Sequence, residues 1–166
     1  MNKNGESNKN MKITLHSQLF GTLELDLYES NEDERAGRIT GRVEIPQTEI
    51  NGIPVSGHQW FSAYTASVYD GNTKIGDQQE PLRQDTCRIK RCDNGDDLTA
   101  NQRSKVYNDL EKALENALAE IPDFNKEWEI SRTYQRIAKR QQIIASKQEE
   151  IAKMEKEIKE LEALLS

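Results

Sequence analysis

The stretch 123–166, DFNKEWEISRTYQRIAKRQQIIASKQEEIAKMEKEIKELEALLS, decides the fold because it contains neither glycine nor proline. Asp123 follows Pro122 and can begin a helix, since an aspartate side chain accepts a hydrogen bond from a free amide of the first turn. A helix from there to Ser166 would be about 65 Å long, because an α-helix rises about 1.5 Å per residue. We therefore predict one long amphipathic helix over residues 123–166.

Apolar residues recur every seven positions along this stretch, a repeat typical of helices that pack against another helix. These residues, which we label position a of a heptad, are Ile130, Ile137, Ile144, Ile151, Ile158 and Leu165. Position d then holds Thr133, Arg140, Lys147, Met154 and Leu161. The resulting prediction is a partner-binding helix that uses Ile137, Ile144, Ile151, Met154, Ile158, Leu161 and Leu165.

The polar d positions of the first half favour a different packing there. A buried Arg or Lys is costly unless its charge reaches water, so we expect the first half to lie on the domain surface, anchored by Trp128 and Tyr134. In a parallel pair of such helices, Glu150 would face Glu155 and Glu157 would face Glu162, which is unfavourable. The sequence predicts an antiparallel pair or packing against another helix, which would bring opposite charges together.

Upstream of the helices the sequence has the two-residue period of strands. Ile13, Leu15, Leu23, Leu25 and Leu27 alternate with polar residues, and alternation resumes from Ile39 to Ile45. Asn51-Gly52 is a typical tight hairpin turn. We further predict one strand over Gly57–Tyr69, a turn-rich segment over Gly76–Leu82 and an edge strand over Thr86–Cys92.

A first helix is indicated by Thr99 and Gln102, whose spacing fits a capping box, and by apolar residues at three-to-four spacing up to Pro122. Strands followed by helices indicate an α+β fold: a small antiparallel sheet packed with one helix, followed by a long C-terminal coiled-coil-like helix. The predicted division is a disordered tail over 1–11, an α+β domain over 12–122 and the long helix over 123–166.

Composition narrows the class of protein. The net charge is -6, which disfavours whole-surface attraction to nucleic acid, and no apolar run is long enough to span a membrane. The expected location is the cytoplasm, or the host cytoplasm if the chain is phage-encoded. Cys87, Cys92, His16 and His58 lack the spacing of a zinc site, so no metal or cofactor is predicted. The histidines fit no nucleophile motif, and we predict that the chain is not an enzyme.

Two functions follow as hypotheses. The first is a non-enzymatic protein-binding module or homo-oligomer. Its small size, lack of catalytic groups and polar start would suit a phage or mobile-element inhibitor of a host defence nuclease, such as an anti-CRISPR protein, by analogy alone. The alternative is a single-stranded nucleic-acid-binding protein in which aromatic residues stack on bases beside basic ones. The residues proposed for that role are Trp60, Tyr64, Arg83, Arg88, Lys90 and Arg91.

Overall fold

The computed structural model describes residues 10–30 and 38–166. The strands are β1 (Met11–Ser17), β2 (Gly21–Glu29), β3 (Ile39–Ile50), β4 (Ile53–Ala63), β5 (Thr65–Asp70), β6 (Thr73–Gln79) and β7 (Arg83–Arg91). The helices are α1 (Ala100–Ala119) and α2 (Phe124–Ala163). The predicted α+β class, with its antiparallel sheet and its long C-terminal helix, is confirmed.

One antiparallel sheet contains β1, β2, β3, β4 and β7 in that order, and β5 and β6 form a separate two-stranded sheet. Side chains alternate between a buried and an exposed face along β1 and β2, as the period of two predicts. The predicted edge strand is β7, which pairs only with β4 among the described strands. The five-stranded sheet thus has one covered face and one open face.

The turn between β3 and β4 forms at Asn51-Gly52 as predicted. Both residues have positive φ, 57° and 78°, the conformation that a two-residue hairpin of this kind requires. β3 continues through Pro46, because the pairing with β4 shifts register between Ile45 and Thr48 and so accommodates a residue without an amide hydrogen.

Two strand predictions were wrong in detail. The strand expected over Gly57–Tyr69 is divided at Tyr64 into β4 and β5, because β5 leaves the main sheet to pair with β6. The segment expected to be turn-rich, Gly76–Leu82, contributes to β6. Its polar sequence gives no apolar alternation, and its strand conformation depends on backbone pairing with β5.

Helix α1 covers one face of the sheet. The capping box is present: the Thr99 hydroxyl accepts from the Gln102 amide, and the Gln102 side chain accepts from the Thr99 amide. Gln102 also donates to the carbonyl of Ile50, which ties the helix start to the hairpin. Residues at three-to-four spacing then enter the core: Val106, Leu110, Ala113, Leu114 and Ala117.

Helix α2 begins at its predicted cap, where the Asp123 carboxylate accepts from the Lys126 amide at 3.2 Å. The predicted tail, residues 1–11, lies outside the described residues except for Asn10 and Met11, and Met11 already belongs to β1. The stretch between β2 and β3, where the alternation is interrupted, also falls largely on residues outside the described part.

Candidate functional site

The base of α2 is docked on the domain through one buried face. Trp128 is only 1% exposed and joins the hydrophobic core, and Ser131 and Ala138 are buried on the same side of the helix. The prediction that Trp128 anchors this half is confirmed. Tyr134 was expected to act as a second anchor, but it is 45% exposed, because the docked face is offset from the heptad stripe.

Polar contacts fix the direction in which α2 leaves the domain. The Glu29 carboxylate accepts hydrogen bonds from Arg136, and the Glu29 amide donates to the Gln135 side chain at 3.0 Å. The hydrogen bond and charge of Glu29 outweigh desolvation and raise the pKa of Arg136 above its ordinary value. These contacts join the end of β2 to the fourth turn of the helix.

Ala138 is the last buried residue of the helix, and every residue from 139 to 166 is exposed. The part of the chain that follows Lys139, residues 140–166, comprises the rest of α2 and the three residues after it; we call it the free segment, and it carries most of the predicted partner-binding residues. Ile151 is 55% exposed, and the other large apolar side chains on the free segment are at least half exposed or nearly so: Ile143, Ile144, Met154, Ile158, Leu161, Leu164 and Leu165. The structure therefore presents the predicted stripe to water, and Ile137 lies at its domain end.

Charge is distributed unevenly along the free segment. Its first part carries two basic residues, Arg140 and Lys147, and no acidic residue before Glu149. Its second part contains more glutamate than lysine: Glu149, Glu150, Glu155, Glu157, Glu160 and Glu162 against Lys153, Lys156 and Lys159. The segment is therefore an exposed apolar stripe flanked by a basic end near the domain and an acidic end away from it.

The second predicted surface is on the open face of the sheet. His58 pairs with Arg88 and Ser56 pairs with Lys90, and directly opposed residues project from the same face. Trp60, two residues from His58, lies on that face as well. The structure thus brings together three of the six residues proposed for nucleic-acid binding.

Arg91 does not belong to this face. It pairs with Val55, whose side chain is buried in the core, so it projects to the side opposite Lys90. There it forms an ion pair with Asp93 at 2.8 Å. Grouping the basic residues by sequence alone missed the alternation of the strand.

The two aromatic residues proposed for nucleic-acid binding each contact an arginine that the sequence did not single out. The guanidinium of Arg42 lies 5.5 Å from the centre of the Trp60 ring, and that of Arg38 lies 5.0 Å from the centre of the Tyr64 ring. Arg42 is opposite Trp60 in the β3–β4 pairing, so strand register positions this contact. Each arginine occupies a ring face on which a base would otherwise stack.

Carboxylates pair with two more of the basic residues proposed for nucleic-acid binding. Lys90 pairs with Asp97, and Arg83 lies 3.6 Å from Glu80. The hydrogen bond from Lys90 lowers the pKa of Asp97. Of the basic residues proposed for nucleic-acid binding, Arg88 has no ion pair within 4.0 Å in the described part of the chain.

Asp85 organises the end of the open face, where β4 gives way to β5. Its carboxylate accepts a hydrogen bond from the Tyr64 hydroxyl at 3.3 Å and lies 3.7 Å from Arg38. Burial raises the pKa of Asp85, but hydrogen bonds from Ser62 and Tyr64 and the charge of Arg38 lower it more, so the pKa lies below its usual value. The cluster holds Tyr64 at the point where the strand divides.

Cys87 and Cys92 are free and exposed. Within residues 10–30 and 38–166, no three or more His, Cys, Asp or Glu side chains are grouped so that they could hold a metal ion. Over the same residues, neither helix contains a run apolar and long enough to cross a lipid bilayer. No protein-family model, curated protein or solved structure matches the chain.

Proposed function

We propose that this chain is a non-enzymatic protein-binding module whose contact surface is the free segment of α2. The observation that carries the proposal is the apolar stripe from Ile144 to Leu165, which is exposed on a helix anchored by Trp128. Covering apolar surface contributes about 25 cal/mol per Å² removed from water, so a stripe of this size favours association with another protein surface.

The anchoring supports this proposal. Trp128 and the contacts of Glu29 with Gln135 and Arg136 hold the base of the helix in one direction, so the stripe is presented on a preorganised arm. A surface that is already ordered loses less conformational entropy on binding than a flexible one. The cytoplasm, or the host cytoplasm for a phage-encoded chain, is the location that belongs to this proposal. Inhibition of a host defence nuclease remains part of it by analogy alone.

The test is affinity capture of cellular proteins by the tagged full chain, after nuclease treatment. The proteins captured are compared with those captured by two double variants. Ile151→Asp with Ile158→Asp places charge in the stripe, and Ala152→Asp with Lys159→Asp places the same residue one position further along, on the outer face of the helix. The proposal expects capture of a stoichiometric partner, which is either another protein or untagged copies of this chain. The second variant should still capture this partner, and the first variant should not. Equal capture by both variants would refute it.

Single-stranded nucleic-acid binding remains the second candidate because Trp60, Arg88 and Lys90 share the open face. Binding by this face would weaken steeply with salt, since contacts to phosphates release counterions. It would also be lost in Arg88→Glu with Lys90→Glu. The protein-binding proposal expects no such binding, because Arg42 covers the Trp60 ring and Asp97 pairs with Lys90.

A further inference from the structure

Resting on the proposed function of the free segment, we infer that its occupant is the free segment of a second copy of this chain, packed antiparallel with Ile151 opposite Met154. The apolar stripe alone fits many helices. The choice of occupant and of direction follows from the charged residues in the stripe and from two apolar residues beside it.

A parallel pair would place identical residues together in each layer. Arg140 and Lys147 occupy position d, so each would face its own copy, and two like-charged layers would be buried at the seam. Such layers are costly because the charges are desolvated without a partner. The flanking glutamates add like-charged contacts in the same arrangement.

An antiparallel pair places position a of one helix opposite position d of the other. With Ile151 opposite Met154, Ile144 is opposite Leu161, and both layers are apolar. Each of them occurs twice because of the twofold symmetry. These are side chains that the single chain leaves exposed, with Leu161 at 63%.

The same register gives each basic d residue a suitable environment. Lys147 is opposite Ile158 and within one helical turn of Glu155 and Glu162 of the second copy, so its stem covers an apolar residue while its charge reaches a carboxylate. Arg140 is likewise opposite Leu165, within one turn of Glu162. The basic end of one segment therefore lies along the acidic end of the other.

Ile143 and Leu164 support this register independently. Both are exposed, at 49% and 81%, and both occupy position g, which a heptad seam usually fills with polar residues. Positions g of two antiparallel helices are adjacent, and with Ile151 opposite Met154 the residue beside Ile143 is Leu164. In a parallel pair Ile143 would lie beside Gln148 instead. One kind of unfavourable contact remains, between Glu150 of each copy and Glu157 of the other; it occurs twice and lies at the solvated edge.

Sedimentation of the full chain tests the second copy. We expect a dimer at high micromolar concentration. Ile151→Asp with Ile158→Asp should raise the dissociation constant of the dimer at least about tenfold, and Ala152→Asp with Lys159→Asp should leave the dimer unchanged. A monomer for the unmodified chain would overturn the inference. The proposed function would survive that result if the stripe variant alone lost a captured protein, so the two failures are distinguishable.

Disulfide trapping tests the direction. In a chain with Cys87→Ser and Cys92→Ser, one preparation carries Lys147→Cys and a second carries Ile158→Cys, and the two are mixed before mild oxidation. The antiparallel register expects the mixed 147–158 dimer. A parallel pair would give 147–147 and 158–158 dimers, because the two positions on one helix are about 16 Å apart. That result would overturn the inference. Lys153→Cys, on the outer face of the helix, is the control that measures how many disulfides form by random collision.

Discussion

The Glu29 carboxylate at the end of β2 accepts two hydrogen bonds from the Arg136 guanidinium of α2, at 3.1 and 2.8 Å. This bidentate contact lies within the docked part of the helix, two residues before Ala138, the last buried residue of α2. It therefore ties the last docked turn of α2 to the end of β2, next to the start of the free segment.

Removing this contact should loosen the arm more than it unfolds the domain. For Arg136→Met we expect a loss of about 0.5 to 1 kcal/mol in the free energy of unfolding, since the pair is partly exposed to water. Lys153→Met, on the exposed outer face of the same helix, is the control and should change it by less than about 0.5 kcal/mol. Urea unfolding followed by circular dichroism measures both. Equal losses would mean that the ion pair does not hold the helix.

Trp128 should be the largest single contributor to docking of α2. Truncation to alanine leaves a cavity and should lower stability by about 3 to 5 kcal/mol. Trp128→Phe should cost much less, because the buried indole N–H has no hydrogen-bond partner among the described residues and phenylalanine removes that unpaired donor. Tyr134→Ala, on the exposed side of the same helix, is the matched control for denaturant unfolding. A loss of stability in Tyr134→Ala as large as that in Trp128→Ala would contradict the docked orientation of α2.

Gly57 in β4 should not tolerate a side chain. Its φ is +140°, and an added Cβ would collide with the carbonyl oxygen of Arg88 in β7. We expect Gly57→Ala to lower the free energy of unfolding by about 2 kcal/mol or more, because both the strained conformation and the collision oppose it. Gly76→Ala in β6, where a Cβ meets open space, should be neutral or stabilising. Thermal unfolding that ranks the two variants the other way round would contradict the β4–β7 register.

The Asp85 cluster should make stability depend on pH. Because the folded-state pKa of Asp85 is depressed, its ionised form stabilises the fold above the pKa of the unfolded chain, about 3.9, and this contribution is lost as pH falls through the folded value. Asp85→Asn should therefore be less stable than the unmodified chain near neutral pH. The difference between their free energies of unfolding should disappear below about pH 4. A difference in unfolding free energy that stays constant between neutral and acid pH would show that ionisation of Asp85 does not contribute to stability.

Features of the fold that depend on residues close together in sequence could be predicted from the sequence. The capping box at Thr99 and Gln102, the Asn51-Gly52 turn and the helix start at Asp123 each involve residues within a few positions of one another. The division of the strand at Tyr64 depends instead on the backbone pairing of β5 with the polar strand β6, so side-chain alternation alone could not reveal it.

The same distinction between local and long-range contacts applies to the two candidate surfaces. The stripe on α2 could be read from a seven-residue period, since helical geometry is local. The docked face, which passes through Trp128, Ser131 and Ala138, depends on where β2 lies, and so Tyr134 was wrongly expected to face the domain. The covering of Trp60 by Arg42 results from the β3–β4 register, which pairs residues from two separate stretches.

Amide hydrogen exchange over residues 139–163 tests most directly whether the exposed stripe is an interface. At high micromolar concentration we predict protected amides along this segment, with protection falling on dilution and in the Ile151→Asp, Ile158→Asp variant. The outer-face variant, Ala152→Asp with Lys159→Asp, should keep the protection. Exchange at the rate of an unstructured chain, both at high concentration and with a captured partner, would contradict the account.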